Sequence, residues 1–148
     1  MITRIVPQPV EMELDGQVLK FAQLRIGEIA RIQAWLDTLP SPIQQIRPMI
    51  EDLTPDERKA LLLEAQKEMR NWPPQYGTIK GSELIGRPEG TKVFMRAALK
   101  RCQHSMTDTE CDKITETLEM EQLADIIEVA STGKLISKES TQGNEKKE

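Results

Sequence analysis

The scarcest chemistry in this chain is the imidazole: His104 is the only histidine. No familiar catalytic triad and no two-histidine metal site can be assembled around it. Sulfur ligands are nearly as scarce, with Cys102 and Cys111 the only cysteines. That excludes a disulfide-dense secreted scaffold, and two thiols in a chain without an export signal read as reduced. Aromatics are limited to Phe21, Trp35, Trp72, Tyr76 and Phe94. The core must therefore come from Leu, Ile, Val, Met and Ala, a composition suited to helix packing. The N-terminal Met1-Ile2-Thr3-Arg4-Ile5-Val6-Pro7 has no basic region leading into a long apolar run. Neither a signal peptide nor a membrane span is expected, and the expected compartment is the cytoplasm. A basic excess is missing too: the net charge is −4 with both signs mixed along the chain. The electrostatic footprint of a nucleic-acid binder is absent.

What is present is a sequence of turn and cap signals. Asp15-Gly16 suits a two-residue type I′ turn, whose central positions both need positive φ. The turn sets a hairpin over about 10–24, with Leu14 opposite Gln17, Met12 opposite Leu19 and Val10 opposite Phe21. Glu11 then faces Lys20 on the other side. Helices follow over about 26–132. The first, from Ile26 to Leu39, has a stripe of Ile29, Ile32, Leu36 and Leu39 widened by Ile26 and Trp35. Pro48 interrupts the stretch from Ile43 to Leu53, which predicts one or two short helical turns. Thr54-Pro55-Asp56-Glu57 reads as a capping box opening a helix to about Arg70, with Leu61, Leu62, Ala65 and Met69 on one face. Gly77, Gly81 and Gly86 predict an irregular connection. A helix from Pro88 to about Cys102 presents Phe94, Met95, Ala98, Leu99 and Cys102. Thr107-Asp108-Thr109-Glu110 is a second capping box, for a helix carrying Cys111, Ile114 and Leu118. The last helix, Met120 to Thr132, carries Leu123, Ile126, Ile127 and Ala130, with Gly133 as its C-cap. The expected fold is mainly α with a short N-terminal hairpin: one domain over 1–136 built as a small bundle of short amphipathic helices. From Ser137 to Glu148 the chain is polar and is expected to be disordered.

The motifs that would carry chemistry fail where the chemistry lies. Gly81-Ser82-Glu83-Leu84-Ile85-Gly86-Arg87-Pro88 has phosphate-loop glycine spacing. Arg87 replaces the phosphate lysine, however, and Pro88 replaces the magnesium-binding hydroxyl. Cys102, His104 and Cys111 lack a fourth soft ligand for zinc, and Cys111 fits an apolar stripe. The carboxylates fall on the solvent faces of helices, where a charge run ordinarily serves solvation. No cofactor, metal or catalytic residue is expected, and the reading is of a non-enzyme. Trp72-Pro73-Pro74-Gln75-Tyr76 offers either an aromatic anchor for a partner or a helix stop with two docked rings. If the chain binds a protein, the candidate contacts are Met69, Trp72, Tyr76, Phe94 and Met95, aromatics and pliable methionines.

Taken in order, these pieces resemble a known arrangement. The hairpin leads through Leu24-Arg25-Ile26-Gly27-Glu28-Ile29-Ala30 into a helix. A middle helix ends in Glu68-Met69-Arg70-Asn71-Trp72-Pro73-Pro74, and Gly86-Arg87-Pro88-Glu89-Gly90 opens a later one. Met106-Thr107-Asp108-Thr109-Glu110 and two short helices close on Gly133. The arrangement resembles the tail assembly chaperones of long-tailed bacteriophages, or closely related small tail proteins, over most of residues 10–133. The resemblance implies a factor of the host cytoplasm that binds the helical tape measure protein, keeps it soluble and helps tail tube subunits assemble around it. A homo-oligomer is compatible with it, as is a longer form made by frameshifting near the polar C-terminal segment. The main competing reading is a structural neck or tail subunit that stays in the virion. A DNA-binding regulator is disfavoured by Glu121, Asp125 and Glu128 on the last helix, which would repel phosphate.

Overall fold

A computed structural model of the chain describes residues 8–135. The C-terminal segment expected to be disordered from Ser137 lies outside these residues. Two strands and seven helices occur in the described part: β1 Val10–Leu14, β2 Gln17–Phe21, α1 Ile26–Thr38, α2 Pro42–Ile50, α3 Pro55–Met69, α4 Ile79–Ile85, α5 Pro88–Cys102, α6 Asp108–Glu116 and α7 Met120–Thr132. The fold is mainly helical, with a two-stranded antiparallel hairpin at its N-terminal end.

The hairpin has the expected register, Val10 with Phe21 through to Leu14 with Gln17. Its turn has φ of 51° at Asp15 and 73° at Gly16, the positive pair that a type I′ turn needs. Leu14, Leu19 and Phe21 point into the core, at 2 %, 5 % and 2 % exposure. A lone hairpin is marginal in water, so its inner face must rest on helices. It rests mainly on α5 and also touches α7.

The helix α5 is the axis of the fold. Phe94, Met95, Ala97, Ala98 and Leu99 are buried along it, and α1, α4, α6 and β2 all pack on it. Pro88 starts α5, and Gly90 lets α4 and α5 approach closely, since an added Cβ there would lie 2.3 Å from the Leu84 carbonyl oxygen. On α1 the core residues are Ile32 and Leu36. Ile26 is not in the stripe; it is 87 % exposed. At ~100° per residue it lies roughly 80–120° around the helix from Leu36 and Ile32, and so faces away.

Several expected local features take a different form. The connection over 77–86 contains the helix α4, capped by Thr78, whose hydroxyl accepts the Gly81 N–H at 3.1 Å. Gly81 sits inside that helix because a Cβ there would meet the Gln75 carbonyl oxygen at 2.1 Å. The stretch around Pro48 is one continuous nine-residue helix, α2. Pro48 lies in its last turn and forfeits the one ladder bond its missing N–H would make, and Ser41 and Gln44 form a full capping box at the helix start. The boxes expected at Thr54 and Thr107 are half-formed. Each hydroxyl accepts the third residue's N–H, but Glu110 takes the Thr107 hydroxyl proton instead of the backbone donor. On α7 the buried set is Ile126, Val129 and Ala130, and Ile127 is 44 % exposed. Gly133 is the left-handed C-cap, with φ of 79°.

The helices α2 and α3 pack chiefly on each other. None of their residues joins the main apolar cluster. The face expected on α3 is therefore thin: Ala65 is buried, while Leu61, Leu62 and Met69 are half-buried and Leu63 is exposed. The pair forms an arm beside the bundle.

Candidate functional site

The string from Trp72 to Tyr76 is a docked connection. Trp72 and Tyr76 are half-buried against the core, Pro74 is fully buried, and the Trp72–Pro73 peptide is cis. The Gln33 side chain of α1 holds it by both ends of its amide. Gln33 Nε2 donates to the Pro74 carbonyl at 2.9 Å, and Gln33 Oε1 accepts the Tyr76 N–H at 2.8 Å. Burial raises the Tyr76 phenol above its ordinary value, so it remains a neutral donor at pH 7.

Fixed in this way, Tyr76 forms one wall of an apolar hollow of about 350 Å³. Leu24, Ile29, Phe94, and Leu123 and Ile127 of α7 line the hollow with it. The size is at the lower end of ordinary ligand pockets. A second, shallower hollow of about 490 Å³ lies between the starts of α5 and α7 and the end of α6, with Leu118 and Met120 in its wall. Gly86, Thr91 and Leu123 line both hollows, so the two meet in one groove. Along the groove α7 presents Met120, Leu123 and Ile127 at i, i+3 and i+7, one helical stripe. Met120 is 80 % exposed. This stripe was present in the sequence, next to the stripe that enters the core.

The residues proposed for partner contact from sequence do not converge. Tyr76 and Phe94 share the 350 Å³ hollow. Trp72 lines a different, broader hollow together with Glu68, Ile79 and Glu83. Met69 is on the arm and half-buried. Met95 has no exposed surface and is a core residue, because its α5 position faces the packed interior rather than the groove. The residues missed were Leu123, Ile127 and Met120.

The chemistry of the groove is apolar. In the hollow beside Tyr76 the hydroxyls are those of Ser82, Thr91, Ser131 and Tyr76, with no carboxylate or imidazole among the residues that line it. Thr91 Oγ1 is occupied, donating to the Ile85 carbonyl at 3.1 Å. His104 lies elsewhere, in a polar hollow with Arg31, Arg96, Lys100 and Asp108. There Arg96 forks onto Asp112 at 2.9 and 2.7 Å, and Lys100 bonds Asp108. These cations lower both carboxyls below their usual range, chiefly through the Arg96 bond for Asp112 and the Lys100 bond for Asp108. Cys111 is buried behind them and its thiol is raised by desolvation, so it stays protonated at neutral pH. Among the described residues, no three His, Cys, Asp or Glu side chains are placed to hold a metal ion. No helix among them is long and apolar enough to cross a membrane.

Compared with known proteins, the chain matches no family model, no curated protein and no solved structure.

Proposed function

We propose that the chain is a non-catalytic binding protein whose groove takes the apolar face of a helical partner. The observation that carries this reading is the pair Met120 and Ile127, 80 % and 44 % exposed along the groove on either side of half-buried Leu123. An apolar stripe on a helix is normally covered, and the core side of α7 is already served by Ile126, Val129 and Ala130. A partner helix with apolar residues at i, i+3 or i+4 and i+7 matches such a surface. Each Leu- or Ile-sized anchor it buries contributes about 1.5–3 kcal/mol before the cost of association.

The order of hairpin, capped helices and closing glycine supports one partner in particular: the tape measure protein of a long-tailed phage. In this reading the chain is a tail assembly chaperone of the host cytoplasm. It shields apolar helix faces of the tape measure protein while tube subunits assemble. Co-expression with a long helical protein encoded beside it is the direct test. The expected result is a complex on a sizing column and a soluble client. A client that stays equally insoluble with and without the chain overturns the chaperone reading. Recovery of the chain in purified particles favours the structural subunit instead.

A further inference from the structure

The groove is apolar in its walls but acidic at one end. Around the hollow between α5, α6 and α7 stand Glu89 at the start of α5, Glu116 at the end of α6 and Glu119 just before α7. Lys92 is the one cation in that wall, and it lies 3.7 Å from Asp112, which Arg96 also holds. Glu89 and Glu116 have no ion-pair partner among the described residues. Glu89 and Glu119 have a local reason to be acidic, because each lies at a helix N-terminus where the dipole favours negative charge. Glu116 has the opposite setting. It is the last residue of α6, where the partial charge of the exposed carbonyls is also negative. Lys113 lies one turn before it, but among the described residues no cation forms an ion pair with this carboxylate, and a partner's cation would.

We infer that the groove's occupant is an amphipathic helix carrying lysine or arginine where it crosses the α5–α6–α7 corner, with its apolar stripe continuing toward Tyr76. This inference rests on the groove being the docking site, and it adds the charge and the direction of the partner. The apolar contacts supply affinity that salt does not remove, and the acidic rim supplies a preference that salt does remove.

Three synthetic helical peptides test it on the full chain. They share one leucine stripe and differ in carrying lysine, glutamine or glutamate at one end. Binding is read by fluorescence anisotropy at low and high sodium chloride. The lysine peptide is expected to bind ~3–10-fold tighter than the glutamine peptide, and the glutamate peptide more weakly still, with the gap closing in high salt. Glu116→Gln, alone or with Glu89→Gln, should shrink the gap between the lysine and glutamine peptides. Met120→Ser with Ile127→Ser, both at exposed positions, should weaken all three peptides alike. Equal binding of the three peptides overturns the inference and leaves the apolar groove standing. Binding by none of them overturns both.

Discussion

Gln103 holds Lys20 by both backbone groups, although 83 positions separate them: Gln103 Oε1 accepts the Lys20 N–H at 2.8 Å, and Gln103 Nε2 donates to the Lys20 carbonyl at 3.1 Å. In the register of the hairpin these two groups point away from β1, so Lys20 would otherwise present an open edge. The C-terminal end of α5 thus acts as a third, one-residue strand. Nearby, the Leu24 N–H bonds the Ala130 carbonyl at 3.0 Å, and Arg101 Nε donates to the Gln23 carbonyl at 3.1 Å. The hairpin is tied to the bundle at its exit as well as through its inner face.

Replacing Gln103 with Ala should therefore cost about 1–2 kcal/mol, since it removes the two bonds to Lys20 and a third from Nε2 to the Leu99 carbonyl at a partly exposed site. Gln103→Glu should cost as much or more, since it removes the donor. Thermal melts give the size. Amide exchange gives the place: protection should fall around Lys20 and hold in α6.

Two glycines in helices should respond in opposite directions to alanine. Gly81→Ala places a methyl group against the Gln75 carbonyl at 2.1 Å, which is backbone and cannot swing aside. A loss of about 1–3 kcal/mol is expected. Gly27→Ala has nothing within 4 Å and sits in α1, so the helix should gain up to about 1 kcal/mol. Melting temperatures of the two variants that move together would contradict this packing of α4 on the 72–76 connection.

The contrast shows what sequence could and could not carry. Asp15-Gly16 fixes its turn through local φ requirements, and Pro88 and Gly133 mark helix ends for local reasons, so each was legible. Gly81 is a local helix breaker that tertiary packing overrides, and only the approach of Gln75 explains it. The groove was half legible. Met120, Leu123 and Ile127 have helical spacing, but whether Ile126 or Ile127 faces inward depends on where β2 and α5 lie. The two glutamine clamps, Gln33 on Tyr76 and Gln103 on Lys20, join residues 43 and 83 positions apart and leave no sequence signal.

The arm should be the least stable helical part of the molecule. The α2–α3 pair buries Pro42, Ile46 and Ala65, whereas α5 alone buries Phe94, Met95, Leu99 and three small residues. Opening free energies follow buried apolar contact, so α2 and α3 amides should exchange well before those of α5. Side-chain truncation should agree. Leu99→Ala, at a fully buried site, should cost about 2–5 kcal/mol, and Leu63→Ala, at 51 % exposure, about 0.5 kcal/mol or less. Equal protection of the two regions would mean that something covers the arm.

Acid should weaken the contact between α5 and α6. Lys92, Arg96 and Lys100 follow one another at i, i+4 and i+8 on α5 and face Asp108 and Asp112 on α6. Both carboxyls are lowered in the folded chain, Asp112 first by the Arg96 bond and Asp108 first by the Lys100 bond. A carboxyl that binds its proton less tightly when folded stabilises the fold above its unfolded pKa, here near 3.8. That contribution declines as pH falls through the folded value and is gone below it. Asp112 is the better placed of the two, with a side chain 19 % exposed against 54 % for Asp108. Asp112→Asn should thus lower stability by roughly 0.5–1 kcal/mol at pH 7, the scale of a partly exposed pair. The deficit should persist to about pH 5 and vanish toward pH 2, where the wild-type carboxyl is itself neutral. High salt should reduce the deficit from Asp108→Asn more than that from Asp112→Asn, because the more exposed pair is the better screened. Denaturant melts of the wild type and both variants across this range check the sign: a deficit that grows on acidification would mean that these carboxylates do not stabilise the α5–α6 contact through their charge.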